Sequence, residues 1–201
     1  MNRLKSICVF CGSRSGSNPL YEEQTYALGK QLADNNIRLI YGGGHLGLMG
    51  ALANGTLDNG GKVTGIIPEF LYKISGIAEF SEKLDTLIIT DNMHERKMHM
   101  FESADAFVAL PGGIGTLEEL VEQLTWEQLG QHKKPIVLAD FDNFWQPFID
   151  LISHMKAHSF IYRKPDINPL RAKSADEIIP MLTEAIQKID PQNDDLISTL
   201  N

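Results

Sequence analysis

Residues 107–120, with the sequence FVALPGGIGTLEEL, combine a glycine-rich turn with two neighbouring carboxylates. Four apolar residues predict a buried strand that ends at Pro111, and Thr116 is expected to begin a helix after three glycines. The unpaired N–H groups and the positive dipole end of such a helix favour a phosphate group even without Lys or Arg. Glu118 and Glu119 follow one turn further on, so the stretch predicts acid or base chemistry on a phosphorylated small molecule.

The spacing of Thr116 and Glu119 leaves two roles open for the second carboxylate. Thr-x-x-Glu is the pattern of a capping box, in which Thr116 caps the helix and Glu119 closes the same end. In that role the pair stabilises the helix by about 1 kcal/mol. As a general base, by contrast, Glu119 would account for roughly a hundred- to ten-thousandfold of the rate.

A second group of charged residues lies in the segment 91–97, with the sequence DNMHERK. Asn92, followed three residues later by Glu95, is also a capping-box pattern and predicts the start of a helix. If this helix begins at the carboxyl edge of a sheet, its first turn faces the glycine turn, and Arg96 could bind a phosphate or a ribose hydroxyl group. The alternative is that Arg96 and Lys97 are ordinary solvated helix charges.

An earlier glycine run, GGGHLG at 42–47, fits the G-x-G-x-x-G pattern of dinucleotide-binding folds, and Glu69 lies near the expected position of a ribose-binding acid. Two features weaken this interpretation. The run follows the second predicted strand rather than the first, and the glycine turn at 112–115 competes with it as the phosphate site. We therefore expect no dinucleotide cofactor.

The chain has 201 residues, of which 43 % are hydrophobic, and this is enough for one domain with a substantial core. Its formal net charge of −8 argues against binding to nucleic acid or to an anionic membrane, because both require a basic face. The apolar run at 7–10 is too short for a secretory signal, and no run approaches the length of a transmembrane helix. We expect a cytoplasmic protein with a small-molecule partner.

The two cysteines, Cys8 and Cys11, have the C-x-x-C spacing that is found in redox and zinc sites. In a strand, however, residues three apart point to opposite faces, and no second Cys or His pair is spaced to complete a metal site. We expect two small buried residues and predict no metal. The six histidines are scattered along the chain, and none is assigned to catalysis.

Strand and helix patterns alternate along the chain, which predicts a doubly wound, Rossmann-like α/β fold. We expect a mostly parallel sheet with helices on both faces, in a single nucleotide-binding domain over residues 1–190 with a polar tail at 191–201. The glycine loops after strands one, two and five should converge at the carboxyl edge of the sheet. The segment 69–85 fits neither period and is expected to be a loop with a short helix. The predicted strands are 5–10, 37–41, 62–67, 86–89, 106–110 and 135–139, and the predicted helices are 19–35, 46–59, 92–103, 116–129, 144–158 and 175–189.

The motif PGGIGTLEE at 111–119 resembles the PGGxGTxxE signature of the "lysine decarboxylase-like" family, which is better known through the LONELY GUY (LOG) cytokinin-activating enzymes. Further similarities cover residues 5–160 in the right order. They are CGS at 11–13, GGG at 42–44 with GLMG at 47–50, MHERK at 93–97, and TW at 125–126 with QLG at 128–130.

This resemblance implies a phosphoribohydrolase, which splits the N-glycosidic bond of a purine nucleoside 5′-monophosphate such as AMP or an N6-modified adenine nucleotide. It further implies a homodimer, no cofactor, and a catalytic pair at Arg96 and Glu119. The substrate-binding residues that it implies are Ser13, Gly43, Gly44, Met93, Lys97, Gly112, Gly113, Ile114, Gly115, Thr116, Leu117, Glu118 and Thr125.

One departure from the plant pattern leaves the base specificity open. Plant members keep a Glu-Ile-x-Gly element after the third strand, whereas this chain has Ile74-Ser75-Gly76 without that Glu, and Glu79 cannot be aligned with it. Two other functions are kept as alternatives. One is a nucleotide-binding carrier or sensor without turnover. The other is a pyridoxal-phosphate decarboxylase, for which Lys97 is the lysine nearest the glycine turn.

Overall fold

A computed structural model describes residues 4–74, 76–161 and 167–189. These residues form one seven-stranded sheet in the order β4-β3-β2-β1-β5-β6-β7, and every neighbouring pair is parallel. The doubly wound α/β prediction is confirmed. The strands are β1 Ser6–Phe10, β2 Arg38–Tyr41, β3 Val63–Pro68, β4 Thr86–Thr90, β5 Ala106–Ala109, β6 Ile136–Ala139 and β7 Leu170–Ala172.

Helices connect the strands and cover both faces of the sheet. They are α1 Pro19–Asp34, α2 Gly47–Leu57, α3 Glu69–Ile74, α4 Ala78–Ser81, α5 Met93–Ser103, α6 Ile114–Gln128, α7 Gln146–Ala157 and α8 Ala175–Lys188, with a 3-10 turn at Phe141–Asn143. One core includes residues of α1, α2 and α8, and the other includes residues of α5 and α6. Along β1, β2, β5 and β6, successive side chains belong alternately to the two cores, because neighbouring residues of a strand point to opposite faces of the sheet.

The strand order reverses next to β1, which pairs with β2 on one side and with β5 on the other. Doubly wound sheets bind ligands at such a switch point, beyond the carboxyl ends of the strands. Here the two loops that follow β1 and β5 touch directly, because the N–H of Gly12 donates to the carbonyl of Pro111 at 3.1 Å. The predicted convergence of glycine loops at this edge is confirmed.

The cysteines lie where the strand pattern predicts. Cys8 belongs to the core on one face of the sheet and Cys11 to the core on the other, and both are free thiols. Burial raises the pKa of both thiols. They therefore form no disulfide, in agreement with the interpretation of two small buried residues.

Two elements differ from the sequence prediction. The segment 69–85 contains two short helices, α3 and α4, instead of one. The strand β7 was not predicted, because three residues with a central Arg171 give no strand pattern. That arginine is tolerated since it pairs with Asp140, which is fully buried at the end of β6.

The described part of the chain contains no helix that is both long and apolar enough to cross a lipid bilayer. The predicted tail at 191–201 lies outside the described residues, so the division into a domain and a tail stays a prediction.

Candidate active site

The glycine turn begins a helix two residues earlier than predicted. Gly113 is the N-cap of α6 in extended conformation, and Ile114 is the first helical residue. The prediction of Thr116 as the cap is therefore wrong. Thr116 instead folds its side chain back over the turn, where a Cβ on Gly112 would overlap the threonine hydroxyl. Only glycine fits at position 112.

This geometry leaves the first turn of α6 available to an anion. Gly113 has no side chain, and no side chain caps the helix. Gly113, Ile114 and Gly115 are exposed, and a Cβ on Gly113 or on Gly115 would meet nothing within 4 Å. The unpaired backbone N–H groups at the start of a helix, together with its dipole, form a site that suits a phosphate group.

Glu119 forms a buried ion pair with Arg96 one turn further along α6. The Nη1 of Arg96 donates to Oε1 of Glu119 at 2.9 Å, and each residue is only 8 % exposed. The Nε of Arg96 donates to the carbonyl of Ile66 at 3.1 Å, which fixes the guanidinium to the end of β3. The capping-box role of Glu119 is therefore wrong, because its carboxylate is directed to α5 and not to the start of its own helix.

Burial raises the pKa of the Glu119 carboxyl above its ordinary value, and the nearby Arg96 guanidinium offsets only part of this rise. A carboxylate with a raised pKa is a better proton acceptor than an ordinary surface glutamate. Perturbed carboxylates in a cleft are characteristic of functional sites.

The helix that carries Arg96 begins as the sequence predicted. Asn92 is the N-cap of α5, and its side chain accepts from the N–H of Glu95 at 3.0 Å. The carboxylate of Glu95 in turn accepts from the N–H of Asp91. Because α5 starts at the carboxyl edge of the sheet, this cap places Arg96 in the first turn, beside the switch point.

The first glycine run serves mainly to make room for protein side chains. A Cβ on Gly42 would overlap Nη2 of Arg96, and a Cβ on Gly44 would approach the Sδ of Met49 to 2.9 Å. Gly43 and Gly47 have positive φ angles of 78° and 58°. The absence of side chains at Gly42 and Gly44 thus makes room for Arg96 and Met49.

These features surround a cavity of about 300 Å³, a volume at the lower end of the range for small-molecule sites. Six of the residues implied by the resemblance, together with Glu119, lie in its lining. They are Ser13, Arg96, Gly113, Ile114, Gly115 and Thr116. The sequence reasoning missed Cys11, Gly42 and Met49, which also line the cavity. All three belong to motifs that the resemblance includes. Their positions in or next to the glycine loops could have identified them as candidates.

The remaining implied residues lie outside this lining. Gly112 borders an adjoining cavity of about 230 Å³, and Met93 is the half-buried first residue of α5. Leu117 packs against the core behind α6. Gly43, Gly44, Lys97, Glu118 and Thr125 make up the rest. Glu79, considered for base recognition, lies on α4 and also outside the lining.

Lys97 is held between two carboxylates and does not face the glycine turn. Its Nζ lies 2.5 Å from Oε1 of Glu118 and 2.9 Å from Oε1 of Glu122. Burial lowers the pKa of the ammonium group, but the hydrogen bonds to Glu118 and Glu122 raise it more, so the net shift is upward. Lys97 is therefore a firmly protonated member of an acidic cluster.

The outward side of α6 is apolar where a soluble helix is usually polar. Ile114 is 82 % exposed and Val121 is 42 % exposed, and they lie seven residues apart on one face of the helix. Glu118 and Thr125 lie on the same face. Ile114 also lines the cavity, so the apolar stripe formed by Ile114 and Val121 begins at the cavity and continues along the exposed face of α6.

Comparisons with known proteins agree with the motifs. The profile of the family described as "Possible lysine decarboxylase" matches residues 49–184. The cytokinin riboside 5′-monophosphate phosphoribohydrolase LOG of Oryza sativa subsp. japonica is 41 % identical over 187 residues, which cover 92 % of this chain and 75 % of that one. The enzyme with the same activity name from Rhodococcoides fascians is 44 % identical over 157 residues, which cover 78 % of both chains.

Solved structures with the same fold include the molybdenum cofactor binding protein of Rippkaea orientalis, at a TM-score of 0.67 and 24 % identity. The comparison covers 92 % of this chain and 98 % of that chain. The molybdenum cofactor carrier protein of Chlamydomonas reinhardtii gives a TM-score of 0.66 at 21 % identity, covering 92 % and 100 %. At these identities the likeness concerns the fold alone.

Proposed function

The chain belongs to the LOG family, that of the "Possible lysine decarboxylase" profile, and from this premise we propose that it hydrolyses the N-glycosidic bond of a purine nucleoside 5′-monophosphate. The products are the free base and ribose 5-phosphate. The observation that carries the proposal is the buried Arg96–Glu119 pair, which lies one helical turn from the uncapped start of α6 in the same cavity. A phosphate site and an activated carboxylate are what this reaction needs.

The phosphate of the substrate binds to the N–H groups of the first turn of α6. Binding energy from this remote group holds the ribose against Glu119 and so contributes to kcat/KM. Water attacks C1′ while the bond from C1′ to the base nitrogen breaks, and its electron pair leaves on the base. Glu119 accepts a proton from the water, and the base takes up a proton from the solvent.

The transition state of glycosidic cleavage resembles an oxocarbenium ion. The Glu119 carboxylate stabilises this positive charge, and it does so strongly because the pair is shielded from water. Arg96 orients the carboxylate and favours its ionised form, which offsets part of the effect of burial. The pair is thus set to act as base and electrostatic stabiliser together.

The decarboxylase alternative is not supported by the state of Lys97. A lysine that forms a Schiff base with pyridoxal phosphate needs a lowered pKa, so that its amine can act as a nucleophile. Here two carboxylates contact the ammonium group and its pKa is raised. The carrier alternative differs from the hydrolase only in turnover, so an experiment must separate the two.

We further propose that two copies of the chain pair through the apolar stripe on α6. An exposed face with Ile114 and Val121 favours burial against a like surface. Pairing there brings Glu118 and Thr125 of one copy close to the second copy, which explains why these two residues lie outside the cavity of their own chain. A V121E variant should be monomeric by light scattering, whereas L46E, which changes an exposed leucine next to α2, should not alter the oligomeric state.

The proposed activity is tested with a panel of AMP, an isopentenyl-modified AMP, GMP, CMP and adenosine, each at one concentration. Chromatography measures the free base released. Release from the adenine nucleotides, with very little from adenosine, supports a phosphate-dependent hydrolase. Binding of AMP without release supports the carrier, and a new visible absorbance on adding pyridoxal phosphate supports the decarboxylase.

A further inference from the structure

The arginine in the cavity lining is already neutralised by a protein carboxylate. Arg96 is balanced by Glu119, so this pair adds no net charge to the cavity, and Lys97, which lies outside the lining, is paired with Glu118 and Glu122. A nucleoside monophosphate brings about −1.5 to −2 at neutral pH. The amides of α6 supply only partial charges. A further cation at the glycine turn would therefore strengthen binding of the phosphate.

Arg14 is a cation without a partner in the loop that follows β1. Among the described residues, no carboxylate forms an ion pair with it, and its side chain makes no hydrogen bond. Arg14 is exposed. An arginine in this state retains all five N–H donors of its planar fork, a shape that suits bidentate binding of a phosphate.

The backbone of Arg14, by contrast, is held firmly in place. Gly47 packs so closely on it that a Cβ at position 47 would overlap the backbone of Arg14. On the other side, a Cβ on Gly12 would lie 3.0 Å from the Arg14 carbonyl oxygen. The chain thus fixes the point from which the side chain extends and leaves its charged end available.

The position of Arg14 relates it to the glycine turn. Arg14 lines the cavity of about 230 Å³ that borders Pro111, Gly112 and Gly113. This second cavity shares Gly12, Ser13 and Gly113 with the first, but Glu119 lines only the first. Arg14 and the Gly112–Gly113 turn therefore line the same cavity, and Glu119 does not line it.

We propose that Arg14 binds the 5′-phosphate of the substrate, opposite the N–H groups of α6, and thereby makes the enzyme select phosphorylated nucleosides. The inference rests on the proposed function, because it assigns the phosphate to this turn. Arg14 touches the phosphate but not the reacting C1′, so it contributes to binding in the ground state and in the transition state alike. Its loss raises KM and leaves kcat nearly unchanged.

The test compares R14Q and R14K with the native chain in AMP hydrolysis. Loss of a charge-assisted hydrogen bond should raise KM for AMP about ten- to hundredfold in R14Q, with kcat within about twofold. R14K should recover part of the affinity, since it keeps the charge but not the fork. The dependence of kcat/KM on ionic strength should also be weaker in R14Q.

Lys5→Gln is the matched control, because it removes one positive charge at the amino end of β1, the opposite end of the strand that leads to Arg14. It should leave KM unchanged. Calorimetry with ribose 5-phosphate adds a measurement that needs no turnover, and R14Q should bind it about tenfold more weakly or worse. This second arm separates failure of the Arg14 assignment from failure of the proposed reaction.

The proposal is overturned if R14Q binds ribose 5-phosphate as the native chain does. It is also overturned if R14Q loses kcat while KM stays constant, or if the loss for adenosine equals the loss for AMP. In the last case Arg14 supports the loop and does not recognise the phosphate.

Discussion

The guanidinium of Arg96 occupies the space in which a side chain at Gly42 would begin. The clash in a Gly42→Ala variant involves only the far end of a flexible side chain, so the fold can adjust. The Arg96–Glu119 ion pair, however, cannot adjust without moving Arg96 away from Glu119. The glycine at position 42 is therefore a requirement of the site more than of the fold.

We expect Gly42→Ala to fold with a nearly unchanged melting temperature and to lose roughly tenfold or more in kcat/KM for AMP, because small misplacements in a site are costly. A double-mutant cycle with Arg96→Ala locates the cause. If Gly42→Ala acts through Arg96, it should cause no further loss of kcat/KM in the Arg96→Ala background. Additive losses would mean that Gly42 acts through another contact.

Glu119→Gln should be correctly folded and nearly inactive. Gln keeps the shape and an oxygen that can accept from Arg96, but it cannot take a proton, and the expected loss in kcat is roughly a hundred- to ten-thousandfold. Circular dichroism and the rate of adenine release from AMP measure the two properties. Glu127→Gln, which removes a carboxylate from the same helix two turns further on, is the control, and it should retain its activity.

The pH dependence of the reaction should report the raised pKa of Glu119. The carboxylate is the active form, so kcat/KM falls as pH decreases through this pKa, at a midpoint above the value of about 4.3 for an ordinary glutamate. The effect of Glu119 ionisation on the stability of the folded state is opposite to its effect on kcat/KM. Because the folded state holds the proton more tightly than the unfolded chain, ionisation of Glu119 reduces stability as pH rises through the same range.

Glu119→Gln removes both effects, and this provides a check on the assignment. The stability of the variant, measured by urea unfolding at several pH values, should lack the part of the decrease that Glu119 causes. A rate profile of the native chain that is flat down to about pH 4 would contradict a carboxylate with a raised pKa acting as the base.

Asp140 should stabilise the fold at the end of β6. It is fully buried, accepts from the N–H of Trp145 at 2.7 Å, and is paired with Arg171 and Lys173. Burial alone raises the pKa of this carboxyl, but the hydrogen bonds from Arg171, Lys173 and the Trp145 N–H lower it more. We expect Asp140→Asn to lower the free energy of unfolding by about 1–3 kcal/mol at pH 7. The expected loss is modest because both cationic partners are partly exposed.

The sign of the pH effect follows from the lowered pKa. The stabilisation by Asp140 is fully present above its unfolded pKa of about 3.9 and is lost as pH falls through the lower folded value. The difference between the native chain and Asp140→Asn in urea unfolding should therefore shrink in acid. Asp142→Asn, an exposed neighbour whose carboxylate accepts only from Asn18 among the described residues, should change stability little.

The sequence allowed prediction of those features that repeat regularly or involve glycine and proline. Short apolar runs gave the six longer strands, and the capping box at Asn92 gave the start of α5. The pairing of Arg96 and Glu119 as proposed catalytic residues came from matched motifs, but the geometry of the pair did not. No local pattern indicates that Arg96 crosses from α5 to Glu119 on α6, because contacts between helices depend on tertiary packing.

The wrong prediction at Thr116 has a similar cause. Thr-x-x-Glu is a sound capping pattern, but the pattern cannot show that the helix already begins at Ile114. In the structure the side chain of Thr116 packs on Gly112, so that its hydroxyl lies against the turn and does not cap the helix. In the same way, β7 depends on a partner, since Arg171 becomes acceptable in a strand only where Asp140 is near.

One glycine run packs closely on two arginines, because Gly47 contacts the backbone of Arg14 and Gly42 leaves room for the guanidinium of Arg96. The run 42–47 contains no Lys, Arg, Asp or Glu, but its close packing restricts the positions of both arginines. Substitutions in the run 42–47 would therefore act through the positions of Arg96 and of the Arg14 backbone, although no residue of the run is proposed as a catalytic residue.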